Sequence, residues 1–220
     1  MLELRDVHAG YGEPSTAPVL SGFDLTLAPG ERRGLFGVSG AGKTTVVRLL
    51  TFRLTPRSGS YLLDGEPVRG TEWDVPAGLR RRVGLVLQSP RAAADPRMRL
   101  RRAVTEPLRT LPRGLRPDAR ETERRLAAAL ELAQFPAELL DRLPEEVSEG
   151  QLARAMLARA VMAEPSYLVC DEPTASLDSA TARAIWDGLA ALADGGVGVL
   201  VVSHHEAELA EWADDVVRLG

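Results

Sequence analysis

A glycine-rich stretch near the start of the chain has the residue types that bind phosphate. It runs from Gly37 to Thr44 as GVSGAGKT and fits the pattern G-x-x-x-x-G-K-[ST]. The glycines let the backbone curl so that its N–H groups point at phosphate oxygens, and a following helix adds its positive end. In this pattern Lys43 bridges the β- and γ-phosphates and the Thr44 hydroxyl holds Mg²⁺. A glycine-rich turn without a ligand is the alternative, and the flanking strand and helix disfavour it.

The basic residues of the chain single out the same loop. Lysine and arginine together number 27, and Lys43 is the single lysine. A flat guanidinium with five donors is a poor substitute where a compact charge must reach between phosphates. The retention of lysine here supports a phosphate site.

Two acids follow an apolar run, Tyr167–Cys170, that reads as a strand. Asp171 at the strand tip can reach Mg²⁺ directly or through water. Glu172 is placed to polarise an attacking water as a general base. Many strands end in an acid, so this run indicates a nucleotide site only in combination with the glycine-rich loop upstream.

Two further polar residues directly follow predicted strands. Gln88 comes after Val83–Leu87, and His204 comes after Val197–Val202 and Ser203. The carboxyl ends of parallel strands share one rim of a sheet, so both should lie near the phosphate site. His204 could bond a γ-phosphate or the attacking water, and Gln88 could sense Mg²⁺ and that water. The alternatives are a structural histidine and a surface amide.

The elements that position these residues follow from hydrophobic periodicity. Strands alternating with helices predict a largely parallel sheet with helices on both faces. From residue 89 to 163 the pattern changes to helical segments broken by prolines at 107, 112, 117, 136 and 144, which predicts a helical insertion. The remaining predicted strands are Leu2–Val7, Phe23–Leu27, Arg33–Phe36 and Ser60–Leu63, and the predicted helices are Thr44–Phe52, Val104–Arg109, Arg120–Ala133, Ser179–Ala193 and Glu206–Ala213.

Composition limits the classes of function. The 220 residues are 45% hydrophobic and 26% charged, as in a soluble globular protein. A net charge of −4 argues against nucleic acid, although Arg80–Arg82 and Arg97–Arg102 leave a basic groove as a minor alternative. The single cysteine, Cys170, excludes a disulfide within the chain and suggests a reducing compartment. The sequence has neither a signal-peptide core nor a membrane-spanning run, so we expect any membrane role to depend on a partner.

Taken together, the motifs resemble those of the nucleotide-binding subunit of an ABC transporter, and they occur in the family order along nearly the whole chain. They are Tyr11 as the adenine-stacking aromatic, Gly37–Thr44 as Walker A, Gln88 as the Q-loop, Val147–Gln151 as the signature, Asp171 and Glu172 as Walker B and catalytic glutamate, Ser176–Asp178 as the D-loop and His204 as the switch histidine.

The resemblance implies a P-loop NTPase fold, α/β, with a mostly parallel central sheet, an N-terminal antiparallel β subdomain and a helical signature subdomain. It implies one domain over 1–220, with the catalytic core and β subdomain in 1–88 and 164–220 and the helical subdomain in 89–163. ATP and Mg²⁺ are the expected cofactors. Two subunits would close head-to-tail around two ATPs, each signature capping the γ-phosphate held by the partner, and hydrolysis would drive a membrane permease from the cytoplasmic face.

Carried onto this chain, the family roles give three sets of site residues. The catalytic set is Glu172, His204 and Gln88. The metal set is Thr44, Gln88 and Asp171. The nucleotide-binding set is Tyr11, Gly37, Ser39, Gly40, Gly42, Lys43, Thr44, Thr45, Ser148, Gly150, Gln151 and Asp178.

Three positions depart from the family pattern. Glu149 replaces the first glycine of the signature, which brings a carboxylate near the partner's γ-phosphate unless the side chain points outward. Val147 replaces a leucine, and His205 stands where an aspartate usually follows the switch histidine. The hypothesis is that the composite site using this signature is weaker than usual.

Short segments resemble the peptide and nickel importer branch of the family: Gln88–Pro90, Asp95–Met98 and Glu106–Leu108. These segments leave open whether the solute is nickel or a peptide, and whether the second ATPase subunit is identical to this one or different. A soluble ABC-type ATPase in an accessory enzyme or repair complex is a second hypothesis. A partner that binds nucleotide without hydrolysing it is a third, disfavoured because the catalytic residues are present.

Overall fold

The computed structural model describes residues 1–13, 16–175 and 177–220. The strands are β1 (Leu2–Ala9), β2 (Leu20–Leu27), β3 (Arg32–Gly37), β4 (Ser58–Leu63), β5 (Glu66–Pro67), β6 (Val83–Val86), β7 (Tyr167–Asp171), β8 (Gly198–Ser203) and β9 (Asp215–Leu219). The helices are α1 (Lys43–Leu50), α2 (Ala77–Arg80), α3 (Pro90–Ala93), α4 (Leu100–Thr110), α5 (Ala119–Leu132), α6 (Glu149–Val161), α7 (Ser179–Asp194) and α8 (Glu206–Trp212).

The strands form two sheets of different kinds. An antiparallel sheet has the order β2-β1-β4-β5, and a central sheet has the order β6-β7-β8-β3-β9. Each adjacent pair in the central sheet is parallel. The predicted fold class, with a parallel central sheet and an N-terminal antiparallel β subdomain, is confirmed.

Both faces of the central sheet are covered, because its middle strands carry apolar residues on both sides. On β7, Tyr167 and Val169 pack toward α1 and the antiparallel sheet, while Leu168 and Cys170 pack toward the helical segments. All six residues of β8 are buried. A strand buried on both faces reads as a continuous apolar run, which is why the sequence showed these two strands clearly.

The register of the central sheet brings three loops to one edge. Phe36 at the end of β3 pairs with Ser203 at the end of β8, and Asp171 at the end of β7 pairs with Val202. The glycine-rich loop, the acid pair after Cys170 and His204 therefore leave the sheet side by side. This edge carries the candidate site.

Two details differ from the sequence predictions. The helical segment predicted over Val104–Arg109 is part of α4, which runs from Leu100 to Thr110 and includes Pro107, one of the prolines expected to interrupt the helical segments. Proline removes one backbone hydrogen bond, and the buried side chains of this helix, among them Val104 and Leu108, compensate by packing. Strand β9 was not predicted at all, and it lies at the sheet edge beside β3.

Several predicted elements have slightly different ends. The helix predicted over Thr44–Phe52 runs from Lys43 to Leu50, and Phe52 lies in the left-handed backbone region with a φ of 62°.

The helices were also compared with the length and hydropathy of a membrane span. None of the helices in the described parts of the chain has both the length and the hydropathy needed to cross a bilayer.

Candidate functional site

A single open pocket of about 760 Å³ gathers most of the residues predicted to act on a nucleotide. It lies at the carboxyl edge of the central sheet, beside the start of α1. Its lining consists of Tyr11, Val19, Ser39, Gly40, Gly42, Lys43, Thr44, Thr45, Arg48, Gln88, Asp171, Glu172 and His204.

Two glycines of the glycine-rich loop have backbone angles that residues with a side chain rarely adopt. Gly40 and Gly42 have φ angles of 87° and 107°, in the left-handed region. A Cβ on Gly42 would also approach Leu20 to 3.0 Å and Val19 to 3.2 Å. The loop leads directly into α1, whose first turn contains no acidic residue, so no acid of the helix itself offsets its positive end.

Lys43 is held by the loop that contains it. Its Nζ lies 2.6 Å from the Gly37 carbonyl oxygen and 3.2 Å from that of Val38, and it donates to both. The same nitrogen lies 3.9 Å from Glu172 Oε1, and 11% of the side chain is exposed. An ammonium has three donors, so Lys43 keeps one for a phosphate oxygen.

The two acids after β7 sit in different surroundings. Burial raises the pKa of Asp171, the neighbouring Glu172 raises it further, and Lys43 opposes both. Glu172 has a φ of 48°, and its backbone N–H donates to Val202 across 2.9 Å. A non-glycine residue in this region is strained, and such strain is found at functional positions that the surrounding structure fixes.

His204 lies against Glu172. Its Nδ1 is 2.6 Å from Glu172 Oε2. The contact lacks the alignment of a hydrogen bond, so Oε2 is a buried oxygen without a hydrogen-bond partner among the described residues. The rings of His204 and His205 are in contact, with centroids 3.9 Å apart and planes tilted by 41°, and the backbone N–H of His205 donates to Ser203 Oγ. Glu172 and His204 can therefore share a water or a proton at the edge of the pocket.

The oxygen atoms in the pocket suit Mg²⁺ bound to a nucleotide. Thr44, Gln88 and Asp171 supply a hydroxyl, an amide and a carboxylate. No cluster of three His, Cys, Asp or Glu side chains occurs among the described residues. Mg²⁺ in nucleotide sites uses one or two protein oxygens together with phosphate oxygens and water, so such a cluster is not required.

Tyr11 forms the far wall of the pocket. Its ring is 42% exposed, and the Arg48 guanidinium lies over one face at 5.2 Å from the centroid. The Tyr11 hydroxyl is 3.4 Å from Thr45 Oγ1, and Arg57 donates to the Tyr11 carbonyl. One ring face is thus covered by a cation, and a flat base can stack on an exposed aromatic face.

The sequence did not predict Val19 and Arg48 as lining residues. Arg48 lies four residues after Thr44, one turn along α1, so helical spacing could have found it. Val19 precedes β2 in an irregular segment, and no pattern in the sequence marks it.

The signature residues lie outside this pocket. Ser148 caps α6: its Oγ accepts from the Gln151 N–H at 3.2 Å, and Gln151 Oε1 accepts from the Ser148 N–H at 2.9 Å. The Ser148 hydroxyl and the first amides of α6 can still donate to an anion. A Cβ on Gly150 would meet Thr181 Oγ1 at 2.8 Å, so glycine is needed where α6 approaches α7.

Asp178 also lies away from the pocket and caps α7. Its carboxylate accepts from the N–H groups of Ala180 and Thr181 and from the Thr181 hydroxyl. Hydrogen bonds from the Thr181 backbone and hydroxyl hold the pKa of Asp178 below its usual value. Ser176 of the predicted D-loop lies outside the described residues.

Comparisons with known proteins agree with this geometry. The ABC transporter family matches residues 20–175. The chain is 35% identical over 227 residues to the lipoprotein-releasing system ATP-binding protein LolD 2 of Chlorobaculum tepidum, covering 100% of this chain and 89% of that protein. It is 33% identical over 207 residues to the nickel import ATP-binding protein NikE of Brucella suis, covering 93% and 76%.

One solved structure is similar to this chain over its whole length. It is the dimeric, post-hydrolysis ATP-binding cassette MJ0796 bound to ADP and Pi, with a TM-score of 0.85 and 26% identity. The match covers 100% of this chain and 94% of that one. With the pocket at the carboxyl edge of the sheet, these findings identify the chain as a member of the ABC transporter family, an ATP-binding subunit that hydrolyses ATP with Mg²⁺ as its partner ion.

Proposed function

We propose that this ATPase energises the import of a peptide or nickel-type solute through a separate integral membrane permease, at the cytoplasmic face of the membrane. The observation that carries the catalytic part is the convergence of Lys43, Asp171, Glu172 and His204 in one pocket. The solute class rests on the importer-like segments after Gln88 and on the similarity to a nickel import protein.

The contacts in the pocket support the following catalytic roles. Glu172 is the general base that takes a proton from the attacking water, because its carboxylate lines the pocket beside Lys43 and His204. His204 positions that water and the γ-phosphate. Gln88 contacts Mg²⁺ and the attacking water when the nucleotide is bound. Thr44, Gln88 and Asp171 would hold Mg²⁺, which would neutralise charge on the phosphates.

Nucleotide binding divides between two regions of the chain. Tyr11 stacks on the base, and Lys43 with the loop amides binds the phosphates. The loop and α1 members of this set are Gly37, Ser39, Gly40, Gly42, Thr44 and Thr45. A second subunit supplies Ser148, Gly150, Gln151 and Asp178, which lie outside the pocket of their own chain. The dimeric state of the similar cassette supports this pairing.

We propose a single domain over 1–220. The core and β subdomain occupy 1–88 and 164–220, and the helical subdomain occupies 89–163. In support, one continuous apolar cluster joins the helical segment to the sheet through residues such as Leu157, Leu168 and Val201. The helical part thus packs on the ATPase core without a separating linker.

Affinity purification of the tagged chain from detergent-solubilised membranes tests the transport proposal. We expect an integral membrane protein to co-purify and the ATPase rate of the complex to exceed that of the isolated subunit. If the chain purifies without any membrane protein, the soluble ABC-type ATPase is the better description. Uptake of labelled nickel against a labelled oligopeptide, in cells with and without the subunit, then separates the two solutes.

A further inference from the structure

The first turn of α6 carries an acid where a bound anion is expected. Glu149 is the first residue of the helix, between Ser148 and Gly150. The amides of a helix's first turn have no acceptor within the helix, and the helix dipole makes this end positive. A free carboxylate here would compete with a phosphate for those amides and would repel it.

The structure pairs this acid with an arginine from another helix. Arg91 Nε lies 2.8 Å from Glu149 Oε2, and Arg91 is the one cation within ion-pair distance of that carboxylate among the described residues. Arg142 lies 4.0 Å from a different acid, Glu146. The carboxylate of Glu149 is therefore fixed by Arg91, whose guanidinium also donates to the Pro144 carbonyl at 3.5 Å.

Arg91 belongs to the segment that follows Gln88. It lies in α3, which begins at Pro90 and is capped by Ser89, whose side chain accepts from the Ala92 N–H. The ion pair thus connects the strand end that carries Gln88 with the helix start that carries Ser148. These are the two places where a chain would meet its own ATP and its partner's ATP.

We propose that Arg91 is a positioning residue for the composite ATP site: it neutralises Glu149 and holds that carboxylate away from the surface that receives the partner's γ-phosphate. The inference rests on the head-to-tail pairing in the proposed function. The side chains are 51% and 40% exposed, so the pair contributes little to folding stability. Its effect lies in where the negative charge is held.

ATP-driven association of the full chain measures this effect. In a Glu172→Gln background, which keeps ATP intact, sedimentation velocity with Mg²⁺ and ATP at low salt gives the dissociation constant of the dimer. We expect Arg91→Ala to weaken dimerisation about tenfold, or ~1.4 kcal/mol. The added change Glu149→Gly should restore it. Arg91→Lys, which keeps the charge, should have a smaller effect than Arg91→Ala.

Arg101→Ala is the matched control. Arg101 forms a similarly exposed ion pair with Glu123 at 2.8 Å, on the helical part of the same chain. Its loss should leave dimerisation unchanged. High salt should reduce the Arg91→Ala effect, because the Debye length falls to about 3 Å at 1 M.

Two outcomes would overturn the inference, and they are distinguishable. If the Glu172→Gln parent does not dimerise with ATP, the head-to-tail pairing is wrong and the role of Arg91 falls with it. If the parent dimerises but Arg91→Ala weakens it equally with and without Glu149, the arginine acts by some other route. If Arg91→Ala does not fold, Arg91→Lys and the parent are compared instead, each with and without Glu149→Gly. This comparison also tests whether the effect of Arg91 on dimerisation depends on Glu149.

Discussion

The imidazole of His204 meets the carboxylate of Glu172, with Nδ1 2.6 Å from Oε2, although the residues are far apart in the sequence. Each follows a strand of the central sheet, and the pairing of Asp171 with Val202 sets the two strand ends level. Glu172 also lies 3.9 Å from Lys43. A carboxylate, an ammonium and an imidazole thus converge at one edge of the pocket.

Glu172→Gln should lower the ATPase rate by at least about a hundredfold while ATP binding persists, because the amide cannot accept a proton from water. Steady-state phosphate release and equilibrium nucleotide binding provide the measurements. Glu208→Gln is the control, since Glu208 is exposed on α8 and does not line the pocket. A hydrolysis rate close to that of the unmodified chain would show that another group removes the proton.

Tyr11→Ala should weaken ATP binding about tenfold, because the stacking surface for the base is lost. Tyr11→Phe should bind nearly as the unmodified chain does, since the hydroxyl contact with Thr45 is long at 3.4 Å. Titration with a fluorescent ATP analogue, displaced by ATP, gives both affinities. If Tyr11→Ala binds as tightly as Tyr11→Phe, the base lies elsewhere.

Gly150→Ala should lower the free energy of unfolding by about 1–3 kcal/mol, because its Cβ would overlap the Thr181 side chain. Thr181→Ala removes the two atoms at 2.8 and 2.9 Å, so the double variant should be more stable than the two single losses predict. Urea unfolding of the four proteins gives this coupling. If the losses in unfolding free energy of the two single variants simply add in the double variant, the glycine is required by the backbone or by a ligand and not by its contact with Thr181.

Asp178→Ala should lower the thermal midpoint at neutral pH, with a difference that shrinks in acid. The pKa of Asp178 is depressed in the folded chain by hydrogen bonds from Thr181, so its contribution is present above the unfolded pKa of about 4. That contribution is lost as pH falls through the lower folded pKa. Thermal melts from pH 7 to pH 3 test the trend.

Asp178→Asn serves as the control for that experiment. Asparagine also caps helix N-termini, so the midpoint should stay close to that of the unmodified chain at neutral pH, but the variant lacks a titrating carboxyl. If Asp178→Ala has the same effect at every pH, a structural contact explains it better than the charged cap.

The phosphate loop, the acid pair and the two strand-end residues could be predicted from the sequence because their chemistry depends on short spacings. Lys43 and Thr44 are fixed by the local pattern, and Asp171 by its place after an apolar run. Arg48 was missed although its spacing from Thr44 is regular. The helix over Val104–Arg109 was predicted, but Pro107 was counted among the interruptions, because a propensity argument does not include the buried packing of α4.

By itself, the sequence determined the phosphate-binding chemistry and the parallel sheet, since glycine spacing, a lone lysine and buried strands are local properties. Only the tertiary structure decided how distant residues meet. It brought His204 against Glu172 through strand register, and it placed Arg91 on Glu149 through the packing of two helices. It also left Ser148 and Gly150 outside the pocket of their own chain, because α6 begins away from the sheet edge that carries the pocket.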